Sequence, residues 1–423
     1  MRLSLLLFLN FALTAQAQPD TIIKVNLENE AVHRFMEEVY YVNHEDTSLV
    51  NDYNVSPPSR RDIPKPVTIP IPEVEADTLL LVYADSADIS GRTDTMTVTG
   101  GKREATLYNL VPQRTYYYRV MAGDSTVSNG EIHTEGQVRM IFVLGVNNIR
   151  DIGGWPTTDG KRVRYGMLYR GTELNGKHTV DSAGLAYMVN MLDIKAELDL
   201  RASYDTAHNI SAFGYKSNMN GNGDAPTYYY TSDSGMLPTD LYDRWDRIKW
   251  RREFNFIVNN MAMGRNVYVH CVWGCDRTGY LLTLLEGLLG MDYDSLIKEY
   301  ELSCFYSYTK VKGNIEPVLD YILECEGNTL QEKFNNYFVD SLGVFQENVD
   351  FFRNLMLEEV VTDVDDDDDD DDDLTTAIRS FRREEDMVPT IVCDLRGRRV
   401  GRSVKRGLLI EIGRDGKARK IIR

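Results

Sequence analysis

The sequence predicts a multidomain chain: a small β-sandwich, then a larger α/β domain with a central, mostly parallel sheet flanked by helices, then a short C-terminal β-module. Three observations carry this. Residues 67–135 hold short runs rich in β-branched and aromatic residues, separated by turn residues at sandwich spacing. Residues 136–358 alternate strand-like apolar runs with longer stretches of helical period. Residues 387–423, beyond an unbroken acidic run, return to short strand-like runs with Gly turns. A length of 423 residues and a hydrophobic content of 43% suit a globular chain of about two or three domains. The formal net charge of -18 argues against a nucleic acid partner, since a polyanion would be repelled.

Residues 1–17 have an early Arg2, an apolar middle and the small-x-small end Ala15-Gln16-Ala17, and read as a secretory signal peptide. The protein is therefore expected to be exported. No later apolar run approaches the ~20 residues of a membrane helix, so no membrane span is expected. Five cysteines, Cys271, Cys275, Cys304, Cys325 and Cys393, are too sparse for a disulfide framework. Residues 18–66 read as leader and linker. Within them Ala31, Phe35, Val39 and Tyr40 recur at helical spacing, and Pro57-Pro58 and Ile63-Pro64-Lys65-Pro66 mark extended chain. Strands follow at Val67–Ile69, Thr78–Tyr83, Thr95–Val98 and Tyr116–Val120. Alternation places Tyr116, Tyr118 and Val120 on the inner face, as core. Leu110-x-Pro112-x3-Tyr116-x-Tyr118-x-Val120 resembles the fibronectin type III pattern, with its tyrosine at the sheet corner.

Residues 136–358 open with an expected strand at Val138–Val143. Asn147-Asn148-Ile149-Arg150-Asp151-Ile152-Gly153-Gly154 follows; Arg150 is either a substrate ligand or the partner of a nearby acid. Asp181–Asp193 reads as a helix, and Ala196–Arg201 as a buried strand ending in polar groups. Ligands of α/β sheets gather beyond the carboxyl ends of strands, so Asp199 and Arg201 are either candidates for the site or a structural Asp–Arg pair. Residues 203–243 form a loosely patterned insert: the Asn- and Gly-rich 218–224 cannot pack a core, and Tyr228-Tyr229-Tyr230 follows. It is either a lid or recognition wall, or core cover with a floppy tip. Asp243–Met263 is a helix leading into a strand at Val267–Val269, and Ser295–Met356 is helical with breaks near Gly313-Asn314 and Gly327-Asn328.

The most informative stretch is His270-Cys271-Val272-Trp273-Gly274-Cys275-Asp276-Arg277-Thr278-Gly279. The Val267–Val269 strand enters it, and the apolar run Tyr280–Leu285 leaves it as a helix. Backbone N–H groups of a loop opening a helix, together with the helix dipole, make an anion site. A field of that sign favours the thiolate of a thiol placed in it, here Cys271. Arg277 offers a planar fork that matches two phosphate oxygens. Cys-x5-Arg-Thr preceded by His resembles the signature of the cysteine-dependent tyrosine phosphatases, and the Asp-Arg-Thr-Gly ending resembles their atypical bacterial branch. Asn-x-Arg-Asp-x-Gly-Gly at 148–154 and Asp-Leu-Arg at 199–201 are similar to the same branch.

The resemblance implies a phosphatase fold in which Cys271 attacks phosphorus, water hydrolyses the phosphocysteine, and no cofactor or metal takes part. It implies that Val272, Trp273, Gly274, Cys275, Thr278 and Gly279 surround the phosphate, with the Thr278 hydroxyl on the sulfur, and that Arg150 and Arg201 are candidate substrate ligands. His270 braces the loop. The leaving group needs a proton, for which Asp276 and Asp199 are both candidates; Asp276 lies in the stronger motif. Trp155-Pro156 is followed by Thr157, not by the Asp of the animal enzymes' acid loop, so Asp159 receives no role. Phosphoinositide-cleaving relatives carry Lys where Cys275 stands, which favours phosphotyrosine or another monoester. Cys275 is either a small side chain that merely fits its slot or a disulfide partner that would protect or silence Cys271 in an oxidising compartment.

Residues 359–386 form an acidic linker, with an unbroken run at Asp365–Asp373 that repels itself and stays extended. In residues 387–423, Asp394-x-x-Gly397-Arg398-x-Val400 and Gly407-Leu408-x-Ile410 resemble the C-terminal sorting domain of type IX secretion. That implies a secretion-machinery partner and a place outside the outer membrane; without it the protein stays in the periplasm. The expected substrate is a phosphorylated protein or small phosphomonoester. The rivals are an inositol-phosphate or phosphoinositide phosphatase and, of another class, a non-catalytic surface binding protein.

Overall fold

The computed structural model describes residues 21–37, 62–89, 93–231, 244–306, 312–360, 391–393, 408–412 and 418–422. The expected signal peptide, Val39, Tyr40, Pro57-Pro58 and the acidic run lie outside them. The chain divides into two compact units: residues 1–29 with 64–139, and residues 30–63 with 140–423.

In the first unit, β1 (Thr21–Asn26), β3 (Thr78–Ala84), β4 (Asp94–Thr99), β6 (Thr115–Ala122) and β7 (Ser125–Glu135) form a five-stranded sheet in the order β1-β7-β6-β3-β4. Its β1–β7 pair is parallel and its other pairs are antiparallel. β2 (Val67–Pro70) pairs antiparallel with β5 (Glu104–Leu107). Val67, Ile69, Leu79, Leu81, Leu107, Tyr118, Val120 and Ile132 from both sheets share one core. The alternation at Tyr118 and Val120 matches the expected inner face, and the Val111 N–H donates to the Tyr116 hydroxyl at 2.9 Å, tying the chain back on itself ahead of β6. The segment read from sequence as leader is different: Thr21–Asn26 is a strand of this sheet.

The second unit holds a six-stranded sheet of β8 (Arg150–Asp151), β10 (Leu168–Gly171), β11 (Ile194–Asp199), β12 (Lys216–Ser217), β13 (Thr227–Tyr230) and β14 (Asn266–His270), in the order β12-β13-β11-β14-β10-β8. All neighbours are parallel except β8 against β10. β9 (Lys161–Val163) pairs antiparallel with β15 (Leu357–Glu359). The helices are α1 (Glu30–Glu37), α2 (Ser182–Asn190), α3 (Arg244–Ala262), α4 (Asp276–Leu289), α5 (Tyr293–Glu301), α6 (Lys312–Leu323), α7 (Leu330–Asn336) and α8 (Gln346–Met356). α4 is buried from Thr278 to Leu289, as its near-continuous apolar run requires, and packs against α5, α7 and α8. α1 buries Val32 and Phe35, the latter edge-on to Phe305 at 5.6 Å. β16 (Ile391–Cys393), β17 (Leu408–Ile412) and β18 (Ala418–Ile422) form an antiparallel sheet of their own.

Two expectations are corrected. Val138–Val143 is not a strand: Met140 makes an isolated bridge to Arg150, and the Ile141 N–H donates to the Ile149 carbonyl. Val138, Met140, Ile141 and Val143 are buried as loop packing, with Ile141 and Val143 in one core with Tyr268 and Ile194. The insert is not one loop, because Thr227–Tyr230 adds a parallel strand to β11 with Tyr230 opposite Asp199. The expected break near Gly313-Asn314 stands at the start of α6, which begins at Lys312, and the one at Gly327-Asn328 falls between α6 and α7. Among the described residues no helix is long and apolar enough to cross a membrane.

Candidate active site

β10, β11 and β14 run parallel and stop level with one another: Gly171 and Asp199 flank His270 on either side. Cys271 is the next residue, at the carboxyl end of the sheet, where crevices form. The loop after β10 (Thr172–Asp181) and the loop after β11 (Leu200–Asp205) therefore flank the Cys271 loop, and Arg277 closes it from the first turn of α4.

The loop is held from behind by its carbonyls. The Val272 carbonyl accepts the Glu173 N–H at 3.2 Å. The Trp273 carbonyl accepts Asn148 Nδ2 at 3.2 Å, and the Gly274 carbonyl accepts both Asn148 Nδ2 at 3.1 Å and an Arg170 nitrogen at 2.8 Å. In a planar trans peptide the N–H points opposite to the C=O. With these three carbonyls turned to the scaffold, the N–H groups of Trp273, Gly274 and Cys275 turn the other way, toward the space the loop encloses. That is an anion nest. Gly274 has φ +65°, and a Cβ there would collide with the Gly171 carbonyl, so no other residue fits this turn.

The groups behind the loop are fully buried. Arg150 donates to Asn148 Oδ1 at 2.6 Å, to Glu299 Oε1 at 2.7 Å and to the Glu299 carbonyl at 2.9 Å. Arg170 reaches the other Glu299 oxygen at 2.6 Å. Asp62 Oδ2 accepts the Asn148 N–H at 2.7 Å, which fixes that residue at φ +50°. Burial would raise the Glu299 carboxyl, but the two guanidiniums outweigh burial and hold it below the usual carboxylate range. Arg150 is thus no substrate ligand in this geometry: it is saturated by Glu299 and Asn148, while Asp151 accepts the N–H groups of Gly153 and Gly166.

Arg201 is also turned inward. It grips Asp199 bidentately at 2.9 and 2.8 Å and reaches Glu173 at 3.1 Å and Asn175 at 2.7 Å. Asp199 further accepts the Tyr228 hydroxyl at 2.7 Å. Burial opposes its charge, but His270, Arg201 and Tyr228 together lower the Asp199 pKa. A buried carboxylate with a lowered pKa and filled lone pairs is poorly suited to give up a proton. Asp276, half-buried at the opening of α4, is the candidate acid that stands beside Arg277.

Arg277 donates to Asp205 at 2.8 Å and to the Leu200 carbonyl at 3.0 Å. Burial would lower its pKa; the Cys271 charge and the Asp205 hydrogen bond outweigh that and push it up. His270 braces the loop, with Nε2 3.1 Å from Glu197 and Nδ1 3.3 Å from the Cys271 carbonyl. Cys275 is fully buried, with its thiol donating to the Trp273 carbonyl at 3.2 Å, and both it and Cys271 are free thiols. The Thr278 hydroxyl is buried without a hydrogen-bond partner, so the expected bond to the Cys271 sulfur is not formed here. Gly279 lets α4 pass close to the Tyr300 ring. Among the described residues no group of three or more His, Cys, Asp or Glu is placed to hold a metal ion.

Sequence reading missed Asn148, Arg170, Asp205, Glu173 and Glu299 as parts of this site. Asn148 stands in a quoted motif; the others carry no local signal.

A model of the tyrosine phosphatase family matches residues 141–358. Over 167 residues the chain is 25% identical to a Cupriavidus necator protein named provisionally as a tyrosine-protein phosphatase, a match covering 37% of this chain and 59% of that one. Over 197 residues it is 26% identical to the triple specificity protein phosphatase PtpB of Mycobacterium tuberculosis, covering 37% of this chain and 66% of that one.

Proposed function

Because the chain belongs to the tyrosine phosphatase family, we propose that it is an exported phosphatase that hydrolyses phosphomonoesters, above all protein phosphotyrosine, through a phosphocysteine intermediate. The observation that carries this reading is the loop itself: three carbonyls tied outward, three N–H groups turned in, Cys271 at its start and Arg277 across it. The Cys271 thiolate attacks phosphorus in line as the bond to the leaving oxygen breaks, and Asp276 gives that oxygen its proton. Water then attacks the phosphocysteine, its proton passes to the Asp276 carboxylate, and inorganic phosphate leaves with the thiolate restored. Inward N–H groups and Arg277 stabilise the charge on the transferring oxygens.

Cys275 supports a monoester over a polyphosphorylated head group, since its slot is buried and brings no cation to the ligand. In this reading residues 67–135 are a fibronectin type III-like module that positions the enzyme. The signal peptide and the sorting-like tail of residues 387–423 take it to the periplasm or past the outer membrane.

The test is turnover of a phosphotyrosyl peptide by the full chain, Cys271→Ser and Asp276→Asn. Cys271→Ser should lose at least ~10³-fold in kcat while still binding phosphate, because the nucleophile alone is removed. Asp276→Asn should lose ~10²-fold, more for alkyl than for activated aryl leaving groups. Wild type that binds phosphotyrosine without turning it over would favour the surface binding protein instead.

A further inference from the structure

One amide holds much of the carbonyl side of the phosphate loop. Asn148 Nδ2 reaches the Trp273 and Gly274 carbonyls at 3.2 and 3.1 Å, while its Oδ1 accepts Arg150 at 2.6 Å. The aim of that amide depends on the backbone beneath it, which sits in the left-handed region at φ +50°. The flanking residues are tied by groups near at hand. The Asn147 N–H donates to Thr172 Oγ1 at 3.1 Å, and the Asn147 carbonyl accepts the Thr172 N–H at 3.0 Å. The Ile149 carbonyl accepts the Ile141 N–H at 3.0 Å. The Asn148 N–H is buried between them and needs an acceptor of its own. Asp62 supplies it at 2.7 Å, from 86 residues earlier in the chain, and is itself only 1% exposed.

The segment that brings Asp62 there has a second hold on the same unit. Phe35 of α1 packs edge-on against Phe305, and the Lys298 ammonium donates to the Met36 carbonyl at 3.1 Å. Lys298 directly precedes Glu299, the carboxylate that Arg150 and Arg170 share. The chain leaves this unit after residue 63 and returns to it at residue 140, with the sandwich in between. The tyrosine phosphatase family model starts at residue 141, so Asp62 lies outside the stretch that matches it. We propose that Asp62 is a positioning residue of the phosphate loop: its carboxylate holds Asn148 in the turn from which the amide ties the loop carbonyls outward. Residues 30–63 are then part of the catalytic domain, and the sandwich is inserted into it. The proposal rests on the phosphatase reading above and deepens it, because the N–H groups can face a phosphoryl group only while those carbonyls are held away.

The experiment measures inorganic phosphate binding by calorimetry in the full Cys271→Ser chain, where no turnover is needed. Adding Asp62→Ala should weaken phosphate binding about tenfold, the size of one lost hydrogen bond to a charged group. Asp62→Asn still offers an oxygen to the same N–H and should recover most of the loss. Asp62→Ser, whose hydroxyl is too short to reach, should behave like Asp62→Ala and serves in its place if that variant does not fold. A double-mutant cycle tests the route. Asn148→Gly keeps the left-handed turn and removes the amide, so in that chain Asp62→Ala should change phosphate affinity by less than about twofold. With Cys271 restored, Asp62→Ala should lower kcat/KM for a phosphotyrosyl peptide by about tenfold or more, and Asp62→Asn should again recover most of it. A carboxylate that merely stabilises the fold would lower the urea midpoint and leave the phosphate affinity of the folded chain unchanged. That result, or losses that simply add in the cycle, would overturn the proposal. Wild type that binds phosphate without turning over the peptide would sink the phosphatase reading instead, and the role of Asp62 would still be decided by binding.

Discussion

The two faces of the Cys271 loop are built on opposite terms. Behind it, Arg150, Arg170 and Glu299 are 1%, 0% and 0% exposed and bonded to one another and to the loop carbonyls. In front, Arg277 is held by Asp205, their side chains both 13% exposed, and Trp273 is 42% exposed. The contrast teaches where preorganisation resides. A charge-stabilising site works because its dipoles do not need to turn during the reaction, so the rear must be rigid. The front meets a substrate that arrives and departs, and there water competes for every contact.

The largest expected effect comes from breaking the rear. Glu299→Ala removes the carboxylate shared by two buried guanidiniums and leaves them facing each other. Removing one partner of a buried ion pair costs about 3–5 kcal/mol, and urea unfolding of the variant should show a loss of that order. Activity should fall in whatever fraction stays folded, because Asn148 and Arg170 lose the anchor that aims them at the loop. A loss below about 1 kcal/mol would mean that the network fills space behind the loop without holding it.

The front should behave differently. Asp205→Asn keeps the shape of the Arg277 partner but removes its charge, while the Leu200 carbonyl still accepts. A hydrogen bond to a charged group is worth about 1.5–3 kcal/mol, so kcat/KM should drop roughly ten- to a hundredfold. Stability should change much less than in Glu299→Ala, since this pair is only part-buried. Equal losses of stability in the two variants would erase the distinction between the faces.

This contrast also marks what could be read from the chain alone. The loop, its entering strand and its leaving helix were legible because Cys271 to Gly279 is contiguous and each residue type answers a local demand. The rear was not. Glu299 lies on α5, far along the chain from Arg150 and Arg170, and an acid in a helical stretch gives no sign that two buried arginines will meet it. Asp199 and Arg201 were placed at the right strand end, but sequence cannot tell a side chain that faces ligand from one that faces its neighbour two residues away. Val138–Val143 misled for a related reason: its apolar residues are buried, as a strand's would be, but β8 is short and leaves them almost no ladder to join. The strand Thr227–Tyr230 was hidden by the Gly- and Asn-rich stretch before it.

A pH-dependent effect sharpens the comparison further, because it asks how much charge the rear contains. Glu286, on α4, is fully buried with neither carboxyl oxygen hydrogen-bonded. Burial and the Glu299 charge push its pKa well above the ordinary 4.5, although Arg170 and Arg150 pull the other way. The folded chain therefore keeps a proton there that the unfolded chain releases. Stability from this group is full below about pH 4.5 and drains as pH rises toward the folded pKa, by about 1.4 kcal/mol per pH unit at most. Asp199 and Glu299, whose pKa values are lowered, act with the opposite sign: their contribution is present at neutral pH and is lost only in acid, below the ordinary carboxylate range. Glu286→Gln removes the first dependence and leaves the second. Urea unfolding from pH 4 to 8 should show variant and wild type close together at the acid end, with the variant gaining steadily above pH 5. A difference that stays constant with pH would place an ionised Glu286 among the arginines. The rear would then hold two carboxylates against two guanidiniums, and the Glu299→Ala loss should shrink accordingly, since Glu286 would remain to face both.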